Sequence, residues 1–148
     1  IDKTIKSLDN KINIINADIN DHMHYFKDKS FDYVILAQSL QVVDNPILLI
    51  KEMLRIGNEA IISFPNMGYW RSRLYLFFKG EMPVTSELPF SWHSTPNIHL
   101  CTIKDFKKMC FLNNFQITEE VINNVNGKNI SSSFLNNLIG TSAIFRIK

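Results

Sequence analysis

The residues best suited to chemistry lie in one long aromatic segment near the middle of the chain. Trp70 is followed by Arg71 and Arg73. A guanidinium offers forked N–H donors that match a carboxylate, and an indole offers a rigid apolar face. His93 and His99 follow in the same segment, and imidazole titrates near neutral pH, so either could act as a general base. The segment is predicted to be a binding surface for an acidic group or for a partner protein.

Other histidines and the cysteines allow two interpretations each. His22 and His24, in DHMHYF, could bind a metal ion, although a surface turn explains them as well. Cys101 could be a nucleophile paired with His99, or it could be a buried, unreactive thiol. Cys101 and Cys110 form no CxxC pair and no zinc pattern with the histidines. No metal site and no disulfide framework are therefore predicted, which favours a reducing cytoplasm.

Polar residues at the ends of predicted strands form a second set of candidates. Asp18 follows one apolar run, Gln38 follows the next, and Asn66 follows a third. In open parallel sheets, ligands bind at the carboxyl ends of the strands, where a carboxylate can accept hydrogen bonds from an amine or a ribose. The alternative is structural: Asp18 would cap a turn, and Gln38 and Gln41 would begin a helix.

The elements that would position these residues start with two strands and a helix. Residues 31–37 (FDYVILA) are a near-continuous apolar run, typical of a parallel strand buried on both faces. Residues 59–64 (EAIISF) predict the following strand. Between them, Asn45 can cap a helix, Pro46 suits its first position and Gly57 suits its end.

The C-terminal half adds a second capped helix. Thr102 and Asp105 make a pair that resembles a capping box, with Asp in place of the usual Glu. Residues 123–137 are rich in Asn and Ser and predict a polar, mobile loop. Further strands are predicted at residues 11–17, 115–122 and 142–147.

This order of elements predicts a single α/β domain over residues 1–148, with an insert at residues 65–101. Because no helix separates the last two strands, the sheet is expected to be mostly parallel with an antiparallel last strand. Within the insert, Leu74–Phe78 (LYLFF) is either a short helix packed on the core or an exposed patch that awaits a partner.

Composition excludes several functional classes. The net charge is +2 and the lysines are scattered, which argues against nucleic acid. No apolar run approaches the length of about 20 residues that a membrane span needs. The five glycines form neither GxGxxG nor a phosphate-binding loop; they are Gly57, Gly68, Gly80, Gly127 and Gly140.

Four blocks together resemble a known family, the MetW proteins of methionine biosynthesis. They read FDYVILAQSLQ, NPILLIKEMLRIG, AIISFPNMGYWRSRLYLFFKGEMPVT and TPNIHLCTIKDF, and the likeness runs from about Asn16 to Phe115. The resemblance implies a Rossmann-like class I methyltransferase fold. It also implies a cytoplasmic partner or activator of homoserine O-acyltransferase, without showing whether the chain is itself an enzyme.

The resemblance also suggests roles for particular residues. By position in the fold, the S-adenosylmethionine cofactor would lie near Asp18, Ile19, Ala37 and Gln38. The surface that meets a substrate or partner would include residues of the insert: Trp70, Arg71, Arg73, His93, Asn97 and His99. No residue is identified as catalytic.

This sequence departs from the family pattern at its start. Ile1–Asp2 resembles the tail of a second strand, so the glycine-rich first βαβ unit is expected to be missing, either because the chain is a fragment or because the unit was lost. Its absence would make S-adenosylmethionine binding doubtful and, by exposing sheet edges, would allow a homo-oligomer.

Two other functions remain open. One is a methyltransferase that uses S-adenosylmethionine on a small acidic substrate, with Asp18 and Gln38 at the cofactor and Arg71 or His99 orienting the acceptor. The other is a non-catalytic scaffold that retains the fold alone.

Overall fold

The computed structural model describes residues 19, 23–85, 89–130 and 134–148. The strand predicted at residues 11–17, Asp18 and His22 therefore lie outside the described residues. The described strands are β1 (Phe31–Ala37), β2 (Gly57–Pro65), β3 (Ile117–Asn123), β4 (Asn129–Ile130) and β5 (Ser142–Ile147). The helices are α1 (Pro46–Ile56), α2 (Trp70–Lys79), α3 (Ile103–Leu112) and α4 (Asn136–Ile139), with short 3-10 turns at Met23–Tyr25 and Leu40–Val42.

The described strands form one sheet in the order β1-β2-β5-β3-β4. β1 and β2 are parallel, whereas β5 lies between β2 and β3 and runs antiparallel to both. β1, β2 and β3 therefore share one direction, and the last strand is reversed. This arrangement confirms the predicted α/β fold class and its antiparallel last strand.

Local capping signals explain where α1 and α3 begin. The Leu48 N–H donates to the side-chain oxygen of Asn45 at 3.1 Å, with Pro46 in the first helical position. Both bonds of the predicted capping box are present: the Asp105 N–H donates to Thr102 Oγ1 at 3.2 Å, and the Thr102 N–H donates to Asp105 Oδ2 at 3.0 Å. The Asn45 cap and the Thr102–Asp105 box each satisfy N–H groups that a helix start leaves without intrahelical partners. Both predicted helix starts are confirmed.

A cluster of three fully buried aromatic rings lies at the centre of the core. Phe64 on β2 lies 4.9 Å from Phe106 on α3 and 5.9 Å from Phe145 on β5, measured between ring centroids. Phe106 and Phe145 are 4.7 Å apart. The cluster joins α3 to the middle of the sheet, and Ile50 and Met53 of α1 belong to the same core.

The structure corrects the expectation that β1 is buried on both faces. Phe31, Tyr33 and Ile35 occupy alternate positions of the strand and are all exposed. The exposed fraction of Ile35 is 67%. β1 is the edge strand of the described sheet, and no described element covers the face that these side chains occupy. An apolar run predicts which residues can be buried, but burial also requires a second layer on each face.

The described part of the Asn- and Ser-rich segment contains regular secondary structure. The prediction of a plain loop at residues 123–137 is wrong, because this stretch contains β4 and the start of α4. Asn124 organises the hairpin: its side-chain oxygen accepts from the N–H groups of Asn126 and Lys128 at 2.9 and 3.1 Å. Gly127, with φ of 70°, supplies the left-handed residue of the turn.

Candidate functional site

The carboxyl ends of β1 and β2 lie side by side, with Ala37 paired to Ser63. The next residue, Gln38, has a φ of 52°, in the left-handed region that non-glycine residues rarely adopt. Its N–H donates to the backbone oxygen of Ser63 at 3.2 Å and to Ser63 Oγ at 3.0 Å, which holds this conformation. Strained backbone of this kind is concentrated at functional sites.

Gln41 connects this edge of the sheet to the insert. Its backbone oxygen accepts from the N–H groups of Ile98 at 2.8 Å and His99 at 2.9 Å, and its Nε2 donates to the Gln38 carbonyl at 2.9 Å. Its Oε1 is buried and has no hydrogen-bond partner among the described residues. An orphaned buried acceptor is costly and fits a site where a ligand supplies the donor.

A cleft of about 440 Å³ is lined in part by Gln41. We call it the Gln41 cleft; it is lined by Gln38, Gln41, Val42, Pro89, Phe90, Pro96 and Asn97. Two residues singled out from the sequence, Gln38 and Asn97, are thus brought together. Ala37, the last residue of β1, directly precedes Gln38 but does not line this cleft. Ile19, which is 38% exposed, lies in a separate apolar cleft beside β1.

Asn66, at the end of β2, holds the base of the insert. Its Nδ2 donates to the backbone oxygens of Asn137 at 3.1 Å and Gly140 at 2.8 Å. Its Oδ1 accepts from the N–H groups of Gly68 at 2.9 Å and Ile103 at 3.2 Å. The side chain is 4% exposed, so the amide uses both its donors and both its acceptor positions inside the protein.

Backbone bonds near Asn66 close the insert. The Asn66 N–H donates to the Thr141 carbonyl at 2.8 Å, and the Met67 N–H donates to the Cys101 carbonyl at 3.1 Å. The two ends of the insert therefore meet beside the sheet edge. The sequence indicated Asn66 only as a strand end, because three of the four groups that it bonds, those of Ile103, Asn137 and Gly140, are distant in the sequence.

A second concavity lies beyond the end of β2, with a volume of about 300 Å³. We call it the Arg71 pocket; its lining is Pro65, Asn66, Tyr69, Arg71, Ser72, Tyr75, Pro83, Val84, Thr85, Val125 and Thr141. The Arg71 guanidinium carbon lies 5.4 Å from the centre of the Trp70 ring. The two arginines of the segment have separate roles, since Arg73 Nε donates to the Gly68 carbonyl at 2.6 Å and stabilises the turn before α2.

The two histidines of the insert have local partners. His93 Nε2 lies 3.2 Å from Ser91 Oγ, and the His93 ring meets the Trp92 ring edge-on at 5.6 Å. His99 Nε2 lies 3.4 Å from the Asp44 backbone oxygen. Neither imidazole lines the Gln41 cleft or the Arg71 pocket. A general-base role for either histidine stays a prediction.

α2 is an exposed apolar helix. Of its ten residues only Ser72 is buried, and Phe77 and Phe78 are 80% and 74% exposed. Leu74, Tyr75 and Leu76 are also exposed. Residues 74–78 (LYLFF) are helical, as the first interpretation of the sequence predicted. Their side chains are not packed on the core, however, but form the exposed patch of the second interpretation.

Both cysteines are free thiols held in their protonated form. Burial, assisted by the Asp105 carboxylate, raises the pKa of Cys101 from 9.0 to about 12. Burial alone raises the pKa of Cys110 from 9.0 to about 11. The thiolate is the nucleophilic form, so these environments favour the interpretation of Cys101 as an unreactive thiol.

We expect iodoacetamide to alkylate the folded chain slowly at about pH 8, with Cys101 about a thousandfold slower than an ordinary thiol. In urea both thiols should react at the ordinary rate, as mass spectrometry of the labelled peptides would show. Because the unfolded chain ionises its thiols first, stability should fall between about pH 9 and pH 12. Rapid labelling of Cys101 in the folded chain would contradict this prediction.

Metal-binding clusters and membrane-spanning helices are both absent from the described part of the chain. It holds no group of three or more His, Cys, Asp or Glu side chains that could bind a metal ion. None of the described helices is both long enough and apolar enough to cross a bilayer.

Sequence reasoning missed three of the groups that form these sites. Gln41 Oε1 was indistinguishable from the oxygen of a solvated glutamine, and Tyr69 and Ser72 looked like ordinary residues beside a helix start. The clustering of polar residues around Arg71 in the sequence could have indicated a binding site there. The sequence does not show which of these residues face a cavity, because that depends on their burial in the folded chain.

Comparison with known proteins gives a family. The sequence pattern described as "Methionine biosynthesis protein MetW" matches residues 2–147. A curated protein of Rhodopirellula baltica, the bifunctional methionine biosynthesis protein MetXA/MetW, is 43% identical over 111 residues, which is 74% of this chain. The chain spans only 18% of the length of that relative.

Solved structures agree on the fold. A SAM-dependent methyltransferase from Archaeoglobus fulgidus is similar over 100% of this chain and 72% of its own, with a TM-score of 0.61 and 12% identity. One from Mesorhizobium loti matches 97% of this chain and 72% of its own, also at a TM-score of 0.61, with 11% identity. One from Thermotoga maritima, described as a possible histamine N-methyltransferase, matches 83% of this chain and 57% of its own, with a TM-score of 0.54 and 17% identity. At these identities the likeness concerns architecture alone.

Proposed function

Because the chain belongs to the MetW family of methionine biosynthesis proteins, we propose that it acts as a partner and activator of homoserine O-acyltransferase. It binds this enzyme through the apolar surface of α2, formed by Leu74, Tyr75, Leu76, Phe77 and Phe78. Its own fold serves in this role as a rigid support for the insert.

The observation that carries the proposal is the exposure of this apolar helix. A surface helix ordinarily turns its apolar stripe towards the core, whereas α2 buries only Ser72. Contiguous apolar surface of this kind is characteristic of protein interaction sites, and aromatic residues dominate the binding energy of such sites. Phe77 and Phe78 are therefore the expected anchors.

The relative from Rhodopirellula baltica supports the choice of partner. It carries two methionine biosynthesis functions, named MetXA and MetW, on one polypeptide. Covalent linkage gives two modules a high effective concentration, which favours their association even when the contact is weak. For this chain, homoserine O-acyltransferase is the partner that the family resemblance implies, and the surface of α2 is available to it.

The test is a calorimetric titration of purified homoserine O-acyltransferase with this chain, followed by measurement of acyltransferase activity with and without it. We expect saturable binding and a higher acyltransferase rate in the complex. Binding without a change in rate would reduce the role to that of a scaffold. No binding at micromolar concentrations would contradict the proposal.

A second candidate is an S-adenosylmethionine-dependent methyltransferase, favoured by the strained Gln38 and the unpartnered Gln41 Oε1 at the carboxyl edge of the sheet. An ammonium or amide donor of a bound molecule would satisfy that oxygen. The described residues supply candidates only for this end of the cofactor, and the given sequence contains no glycine-rich loop.

Calorimetry with S-adenosylmethionine tests this second function. If the chain is a partner protein only, we expect no heat of binding at millimolar cofactor. Saturable binding that is lost in Gln41→Leu would instead support a cofactor site at the Gln41 cleft. Gln116→Leu, which alters a glutamine outside that cleft, is the matched control.

A further inference from the structure

The Arg71 pocket has the features of a small-molecule site and is separate from the Gln41 cleft. The two concavities share no lining residue. The pocket lies between the first turn of α2 and the β3–β4 hairpin, which contributes Val125. Its volume of about 300 Å³ is at the lower end for ligand pockets, which favours a molecule of amino-acid size.

Two polar groups in the pocket lack partners. Ser72 is 5% exposed and lines the cavity, yet its hydroxyl makes no hydrogen bond to any described residue. The Arg71 guanidinium has the Trp70 ring as a neighbour and forms no ion pair with a described residue. None of the described residues that line the pocket is acidic. The exposed Arg71 guanidinium and the Ser72 hydroxyl are therefore available to an anionic, hydrogen-bonding ligand.

Other polar side chains of the lining are already used by the fold. Asn66 has all four of its hydrogen bonds inside the protein, and the Thr141 hydroxyl donates to the Asn123 carbonyl at 3.3 Å. Tyr75 OH lies 3.4 Å from Glu81 Oε2. Arg71 is the cation among the described lining residues, so the ligand's anionic group is expected to meet Arg71, and Ser72 offers a hydroxyl in the same lining.

The rest of the lining is largely hydrocarbon. Pro65, Pro83, Val84 and Val125 contribute apolar surface, together with the rings of Tyr69 and Tyr75. Such walls favour an apolar group on the ligand, because its burial removes apolar area from water. Phosphate fits poorly, since it is fully hydrated and would meet one cation and several apolar side chains.

We propose that the Arg71 pocket binds a small aliphatic carboxylate, with the carboxylate at Arg71 and Ser72 and the hydrocarbon against the proline and valine side chains. The site shares Tyr75 with the apolar surface of α2 but does not include the expected anchors Phe77 and Phe78. A ligand here would link a small metabolite to the base of the insert, because Arg71 and Ser72 belong to the first turn of α2.

Trp70 provides the signal for the test because it neighbours Arg71. In a Trp92→Phe background its fluorescence is titrated with isocaproate, with the alcohol of the same carbon skeleton, and with inorganic phosphate. We expect saturation by isocaproate in the millimolar range or below and no response to the alcohol. Saturation by phosphate as tight as by isocaproate would overturn the carboxylate assignment.

Variants connect the binding to the two groups. Arg71→Met keeps the length of the side chain and removes its charge, and we expect it to weaken isocaproate binding at least tenfold. Ser72→Ala should weaken it by a smaller factor. Lys79→Met removes a cation at the other end of α2 and should leave binding unchanged. Equal binding by Arg71→Met and the parent chain, with circular dichroism showing both folded, would overturn the proposal.

Discussion

Asn66→Asp is expected to lower the free energy of unfolding by about 3–5 kcal/mol, the largest effect of any polar substitution considered. The replacement keeps the shape of the side chain and removes both N–H donors. The carbonyls of Asn137 and Gly140, at 3.1 and 2.8 Å, would then face a carboxylate oxygen in a site that is 4% exposed. Each buried acceptor left unpaired costs about 1–3 kcal/mol, and charge repulsion adds to that cost.

Urea denaturation at neutral pH, followed by circular dichroism, measures this effect. Asn126→Asp is the matched control, because it makes the same chemical change at an exposed turn residue and should change stability by less than about 0.5 kcal/mol. A loss of stability below 1 kcal/mol in Asn66→Asp would mean that the amide does not hold the strand end, α3 and α4 together.

The paired substitution Phe77→Ser with Phe78→Ser is expected to weaken binding to homoserine O-acyltransferase by about a hundredfold or more. Both rings are largely exposed, at 80% and 74%, so they contribute little to the core of the isolated chain. In the complex they would be buried, and aromatic anchors commonly account for at least 2 kcal/mol each. The unfolding transition of the free chain should therefore change little while the affinity falls.

Phe111→Ser supplies the control for this pair. Phe111 is 81% exposed on α3, so the substitution removes an exposed phenylalanine from a different helix. We expect full binding from this variant. If the paired variant and Phe111→Ser bind equally well, α2 is not the interface, even where a complex forms through another surface.

The sequence predicted those parts of the fold whose causes are local. α1 and α3 begin where their capping residues Asn45 and Thr102 predicted, because a cap is formed by residues three positions apart. Strand β5 has the predicted bounds of 142–147, since an alternating pattern is also local. Exposure of the apolar face of β1 could not be predicted, and the buried and exposed interpretations of α2 could not be separated, because burial depends on which elements lie opposite.

In the candidate sites, too, the features that the sequence could not predict are those set by the tertiary structure. Arg71 and Arg73 looked equivalent in the sequence, but residues two positions apart on a helix point about 200° apart. Arg71 consequently lines a pocket, while Arg73 bonds the Gly68 carbonyl. The orphaned oxygen of Gln41 was likewise beyond sequence reasoning, because only the tertiary structure shows which amide oxygens are excluded from water.

The hydrogen bond from Met67 to the Cys101 carbonyl brings the two ends of the insert together at the sheet edge. A segment closed at its base can change in length at little cost to the domain, since doubling a loop adds only about 0.6 kcal/mol of closure entropy. The recognition surface can therefore diverge among relatives while the sheet stays constant. It should also be transferable: moved between two relatives with both closing residues, the insert would carry its partner preference with it.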